Sequence, residues 1–121
     1  MQFESLDQKI PFEAQLQEKT GTVVLVNTVI VPDGLMDEVL ESWAVDAAFM
    51  KAAPGCISTQ LHRGTAGSDI LINVAVWEST ETLFKAFSDP EFQAKAAGYP
   101  EGVIVRPYLC EKVAVEGICV A

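Results

Sequence analysis

The sequence predicts an α+β domain with one antiparallel sheet and its helices on one face, and three observations lead there. Apolar patterns follow the order strand, helix, strand, strand, helix, strand; the strand segments are rich in β-branched residues; and Gly, Pro, Ser and Asp punctuate the boundaries. That order is the β-α-β-β-α-β pattern of a ferredoxin-like sheet. At 121 residues, half of them apolar and about a fifth charged, the chain is long enough for one packed domain.

Residues 1–20 place Phe3, Leu6, Ile10, Phe12 and Leu16 among polar neighbours, with Pro11 interrupting any helix. They read as an N-terminal arm laid over a partner subunit. Residues 21–115 form the domain and 116–121 a tail. Thr22 to Val31, TVVLVNTVIV, suits a strand buried on both faces, with Asn27 its one large polar side chain. Pro32, Asp33 and Gly34 end it, and Asp33 is the expected N-cap of a helix reaching about Ala52. Leu35, Met36, Val39, Leu40, Trp43 and Ala47 make that helix's inner stripe; Val45 and Phe49 mark a second, covered surface.

Pro54 and Gly55 lead into the strand CISTQLHR, and Gly64, Gly67, Ser68 and Asp69 carry hairpin chemistry. A third strand runs from Ile70 to Trp77. Ser79 and Thr80 offer caps for a helix through Phe87, while Ser88 with Glu91 matches a capping box opening a short helix to about Ala97. Gly98, Pro100 and Gly102 precede a last strand, Val103 to about Val115, where Pro107 predicts an edge or a bulge. With helices on one side only, all-apolar strands leave the other face needing cover, and face-to-face dimerisation is the expected solution.

Seventeen acidic residues against eight basic ones give a formal charge of −9, which repels nucleic acid and anionic lipid surfaces. No apolar run marks a secretory leader or a membrane span, so a cytoplasmic protein is expected. Cys56, Cys110 and Cys119 form no C-x-x-C pair and read as small buried hydrophobes or tail residues in a reducing compartment. One histidine and scattered carboxylates offer no metal site, and no glycine-rich loop signals a nucleotide cofactor.

Period two puts Leu71, Asn73, Ala75 and Trp77 on one face of the third strand and Ile70, Ile72, Val74 and Val76 on the other. Asn73 and Trp77 thus flank a gap at Ala75, with an amide and an indole N–H able to hold a ligand oxygen. The structural alternative is a core tryptophan beside an asparagine satisfied by neighbouring backbone. Asn27 needs a partner, a water or a ligand. His62, the lone histidine, suits proton transfer near neutral pH, or is simply a hairpin residue. Arg63 and Arg106 read as surface residues.

The segments PGCISTQLHRG, NVAVWEST and FSDPEFQAKAAGYP resemble the antibiotic biosynthesis monooxygenase family, over about Thr22 to Val115. Trp77 with Glu78 and Ser79, and the run Asp89 to Phe92, are the most specific parts. The resemblance implies ferredoxin-like subunits paired as a dimeric α+β barrel, with one pocket per subunit between sheet and helices. It also implies oxidation of a small phenolic, anthrone or quinol-like substrate by molecular oxygen, without metal or flavin.

Aromatic-polyketide members carry an asparagine four residues before the strand tryptophan, the spacing of Asn73 and Trp77. Asn73, Trp77 and His62 are therefore the catalytic candidates, with Asn27, Leu83, Phe84 and Phe87 binding substrate. The family's pocket tyrosine and arginine have no evident counterpart, since Leu83 and Ala94 to Ala97 occupy those neighbourhoods. Haem-degrading relatives use a first-strand asparagine, matched by Asn27, with a tryptophan and a histidine on the second helix. Here those positions are Ala86 and Ala96, so haem chemistry is not expected. The rival to the oxygenase is a non-catalytic small-molecule-binding dimer of the same fold.

Overall fold

The computed structural model describes residues 1–121. Strands β1 (Gln2–Phe3), β2 (Val23–Ile30), β3 (Cys56–Arg63), β4 (Ile70–Trp77) and β5 (Ile104–Cys110) form one sheet in the order β1-β5-β2-β4-β3. Helices α1 (Phe12–Gln17), α2 (Met36–Ala52), α3 (Thr80–Phe87) and α4 (Pro90–Ala96) interleave with them. β2, β3, β4 and β5 pair antiparallel throughout, which gives the ferredoxin-like arrangement expected. The fifth strand, β1, runs parallel to β5 and makes the sheet mixed.

The first twenty residues are not a free arm. β1 pairs with Ile104 and Val105, and α1 buries Phe12 and Leu16 against Trp77, Leu83 and Leu109 of the same chain. Together they close an edge that would otherwise present unpaired backbone. Glu4 N–H donates to the Val105 carbonyl at 2.9 Å. The next step of that ladder needs an N–H from residue 107, which proline lacks, so β1 stops there. Two residues on, the Gln15 side chain takes over: its amide donates to the Leu109 carbonyl (3.1 Å) and accepts the Leu109 N–H (3.0 Å), as a strand would. Pro107 therefore occupies the edge position its chemistry required.

Several helix ends depart from expectation. Leu35, not Asp33, precedes α2, because the turn closed by Leu35 N–H on the Pro32 carbonyl, with Gly34 at φ +78°, leaves Asp33 too early to cap. Asp89, not Ser88, caps α4, accepting the Glu91 N–H at 2.8 Å. Ser79 caps α3 as expected. β5 ends at Cys110 rather than Val115, and the tail holds only a Val115–Cys119 bridge. Phe49 packs on Phe92 of the same chain, while Val45 remains exposed.

The core divides into two clusters on the helix side of the sheet. Val23, Trp77, Ala75 and Leu109 pack with α1 and α3 at one end; Val29, Leu71 and Val105 pack with Met36, Val39, Tyr99 and Val103 at the other. Each strand passes from one cluster to the other through a middle row formed by Asn27, Asn73 and Pro107, which are register partners across β2, β4 and β5. Polar or ring-constrained residues in that row cannot close the core, and a cavity opens there. The opposite face carries Val24, Val26, Val74 and Val76, with Ile70 and Ile72 about 40% exposed.

Candidate active site

The cavity lies between the middle row and helices α2, α3 and α4, and 16 of its 21 lining residues are hydrophobic, so its few polar groups dominate what it can recognise. From the sheet come Leu25, Asn27, Cys56, Thr59, Asn73, Ala75 and Trp77; from the helices come Trp43, Asp46, Ala47, Met50, Leu83, Phe87 and Phe92. Tyr99 reaches it from the loop after α4. The cavity volume is about 80 Å³.

Asn73 is oriented by its neighbour strand. The Thr59 hydroxyl donates to Asn73 Oδ1 at 2.8 Å, which fixes the amide and leaves its N–H donors for a ligand. Asn27, directly across the ladder, has its Oδ1 buried with no partner in the chain. Leaving such an acceptor unmet costs roughly 1–3 kcal/mol, so the site favours a ligand that brings a donor. Trp77 is 1% exposed and packs into the first core cluster, yet it also lines the cavity. The structural and ligand-facing readings of Trp77 thus coexist.

Of the other candidates, Leu83 and Phe87 line the cavity. Phe87 sits at the centre of an aromatic group with Phe3, Phe12 and Phe92, at centroid distances of 5.7–6.0 Å. Phe84 does not join them: α3 buries Thr80, Leu83 and Ala86, which turns Phe84 outward to 41% exposure. Nor does His62. It pairs with Ile72 in register, shares that residue's outward face, and its Nδ1 donates to the Ile72 carbonyl at 3.2 Å. Arg63 lies near Asp69 (3.8 Å) and Arg106 pairs with Glu4 (2.9 Å), both away from the cavity.

Two groups escaped the sequence reading. Asp46 stands among the cavity-facing residues of α2, three positions after Trp43 and four before Met50, and accepts the Tyr99 hydroxyl at 2.5 Å. Burial raises its carboxyl from 3.8 to about 6, although the Tyr99 hydrogen bond pulls the other way. Tyr99, buried beside that carboxylate, is held well above the ordinary phenol range and so remains a donor. A lone acid within an apolar helical stripe was the available signal for Asp46; Tyr99 lay hidden in the Gly98–Pro100 turn. A tyrosine, Tyr99, thus lines the cavity, whereas no arginine does.

Cys56 also faces the cavity, its thiol pushed up by burial against the opposing pull of Lys51, which leaves it a poor nucleophile. No three His, Cys, Asp or Glu side chains gather as metal ligands, and no helix is long and apolar enough to cross a membrane.

A family model described as antibiotic biosynthesis monooxygenase matches residues 22–97. Among solved structures, SnoaB from Streptomyces nogalater, a cofactor-independent oxygenase, superposes with a TM-score of 0.72 at 23% identity, covering 81% of this chain and 99% of its own. A proposed monooxygenase from Shewanella loihica PV-4 is 32% identical, with a TM-score of 0.65 over 78% of this chain and 97% of its own. A proposed antibiotic biosynthesis monooxygenase from Caulobacter crescentus CB15 gives a TM-score of 0.62 at 20% identity, over 73% and 88% of the two chains. No curated protein matches the chain by sequence.

Proposed function

Because the chain belongs to the antibiotic biosynthesis monooxygenase family, and because the cavity between its sheet and helices is mostly apolar with a few polar groups, we propose that it is a cofactor-independent monooxygenase. Its substrate is a small phenolic, anthrone or quinol-like molecule. The observation that carries this reading is the middle row of the sheet. Asn73, fixed by Thr59, and Trp77 offer N–H donors on one wall of the cavity, next to the unpartnered oxygen of Asn27.

Such a site asks little chemistry of the protein. Loss of a proton from the substrate's hydroxyl or activated C–H leaves an electron-rich anion that can pass an electron to oxygen. The donors of Asn73 and Trp77 stabilise the developing negative charge where no water competes. Overall a CH2 flanked by aromatic rings and one O2 become a carbonyl and one water. The substrate supplies all the electrons, so no external reductant enters.

Two further properties belong to the same proposal. The outward sheet face, with Ile70 and Ile72 still about 40% exposed, is covered by a second copy of the chain as a homodimer. Three free cysteines without a C-x-x-C pair support a reducing, cytoplasmic setting.

The test is oxygen uptake by metal-free protein against a panel of anthrones and quinols, with Asn73→Ala and Trp77→Phe subtracting autoxidation. Uptake by wild type that both variants lower by about a hundredfold or more is the expected result. No excess over the variants across the panel favours the non-catalytic binding dimer instead.

A further inference from the structure

The oxygenase reading leaves open which group takes the substrate's proton, since His62 lies on the opposite face of the sheet. We infer that Asp46, positioned by Tyr99, is that proton acceptor, and that the cavity selects a substrate entering as a neutral hydroxyl donor.

The argument starts from the balance of polar groups. Asp46 is the one charged side chain lining the cavity, and no lysine, arginine or histidine faces it. Its Oδ2 is occupied by the Tyr99 hydroxyl, while its Oδ1 accepts no hydrogen bond from the chain. Asn27 Oδ1 is a second acceptor, buried and unpartnered. A buried unmet acceptor and a free carboxylate oxygen in a mostly apolar cavity favour a ligand that brings donors. A substrate carboxylate would meet Asp46 with no side-chain cation to offset it, and like charges so placed cost several kcal/mol. A hydroquinone supplies both donors, one O–H for Asn27 and another for Asp46, and a phenol supplies one of them.

The transfer is simple. The substrate O–H bond breaks, an O–H bond forms on Asp46 Oδ1, and the negative charge is left on the substrate oxygen. Tyr99 keeps its own proton and holds the carboxylate in place, so it is a positioning residue. An acceptor that titrates near the working pH is the efficient one, and Asp46 at about 6 meets that condition. The other titratable groups lining the cavity are Tyr99, Cys56 of β3 and the amino group of Met1; β2, β4 and β5 contribute only Asn27, Asn73 and Pro107 near the polar row.

Two arms test this. In the first, kcat/KM of wild type should rise with pH and level off above about 6 as Asp46 loses its proton. Asp46→Asn should lower the plateau by about a hundredfold or more and abolish the inflection. Tyr99→Phe should move the inflection to higher pH, because the lost hydrogen bond favoured the carboxylate; a purely structural role would leave it in place. An inflection retained in Asp46→Asn, or unmoved in Tyr99→Phe, overturns the assignment.

In the second arm, binding of 2-naphthol and 2-naphthoate is followed by fluorescence, since both tryptophans of the chain, Trp43 and Trp77, line the cavity. At neutral pH wild type should prefer the naphthol by about tenfold or more, and Asp46→Asn should narrow the gap. Equal affinities in wild type overturn the selection of a neutral donor. If wild type oxidises nothing in the panel, the oxygenase reading falls and the acceptor role with it, while the binding preference still decides the selectivity.

Discussion

Asp46 burdens the fold at the pH where it would serve. Its carboxyl titrates near 6 in the folded chain against an ordinary 3.8, so the folded state binds the proton more tightly than the unfolded one. That advantage is fully present below about 3.8 and is lost as pH rises through about 6. Asp46→Asn, which can still accept from Tyr99, should therefore raise stability at neutral pH by on the order of 2–3 kcal/mol. Urea unfolding at pH 4 and pH 7, about where the two protonation states prevail, should show the gain only at the higher pH. A residue that weakens the fold and is not needed to fill space is better explained by chemistry than by packing. At this scale Asn27, Asn73 and Trp77 were legible because period two in a strand assigns faces directly. The Thr59 contact was not, because it depends on how β3 is registered against β4.

At the scale of elements, the edge of β5 is the instructive case. Its backbone groups are met in turn by β1, by the absence of an N–H at Pro107, and by the Gln15 amide. Local patterns read the first twenty residues as an arm because two-residue strands and six-residue helices leave almost no periodic signal. Their structure comes from what they cover. The α2–β3 turn was legible in Pro54 and Gly55, and the end of β4 and start of α3 hold it in place. Gly55 sits at φ +94°, and an added Cβ would lie 2.3 Å from Thr82 Cβ, while the Gly55 carbonyl accepts the Glu78 N–H at 2.8 Å. Gly55→Ala should thus destabilise by roughly 2–4 kcal/mol, read as a lower urea midpoint with an unchanged slope. The same turn packs the start of α3, so its distortion would also disturb Leu83 at the cavity wall.

For the whole molecule, the proposed pairing rests on the outward face of the sheet. Val24, Val26, Val74 and Val76 share that face with Ile70 and Ile72, an apolar surface of the kind partners cover. Light scattering at micromolar concentration should give a mass near twice 13.1 kDa. Ile72→Lys should shift it toward one, since a buried unpaired charge opposes association strongly. A wild-type mass of 13.1 kDa would remove the second copy from the proposal.

The sequence by itself determined the element order from β2 to β5, the inward and outward faces of those strands, and the pairing of Asn73 with Trp77 on one wall. Each of these follows from periodicity or spacing within a short segment, which the backbone geometry of a strand or helix converts directly into position. Only the tertiary structure decided that Asp46 and Tyr99 meet, that Thr59 fixes Asn73, that His62 faces away, and that Gln15 completes a sheet edge. Those depend on groups 14 to 94 residues apart, or on which side of a sheet a helix packs. Burial completes the division: a carboxylate becomes a base tuned near neutrality only once the surrounding chain has removed the water around it.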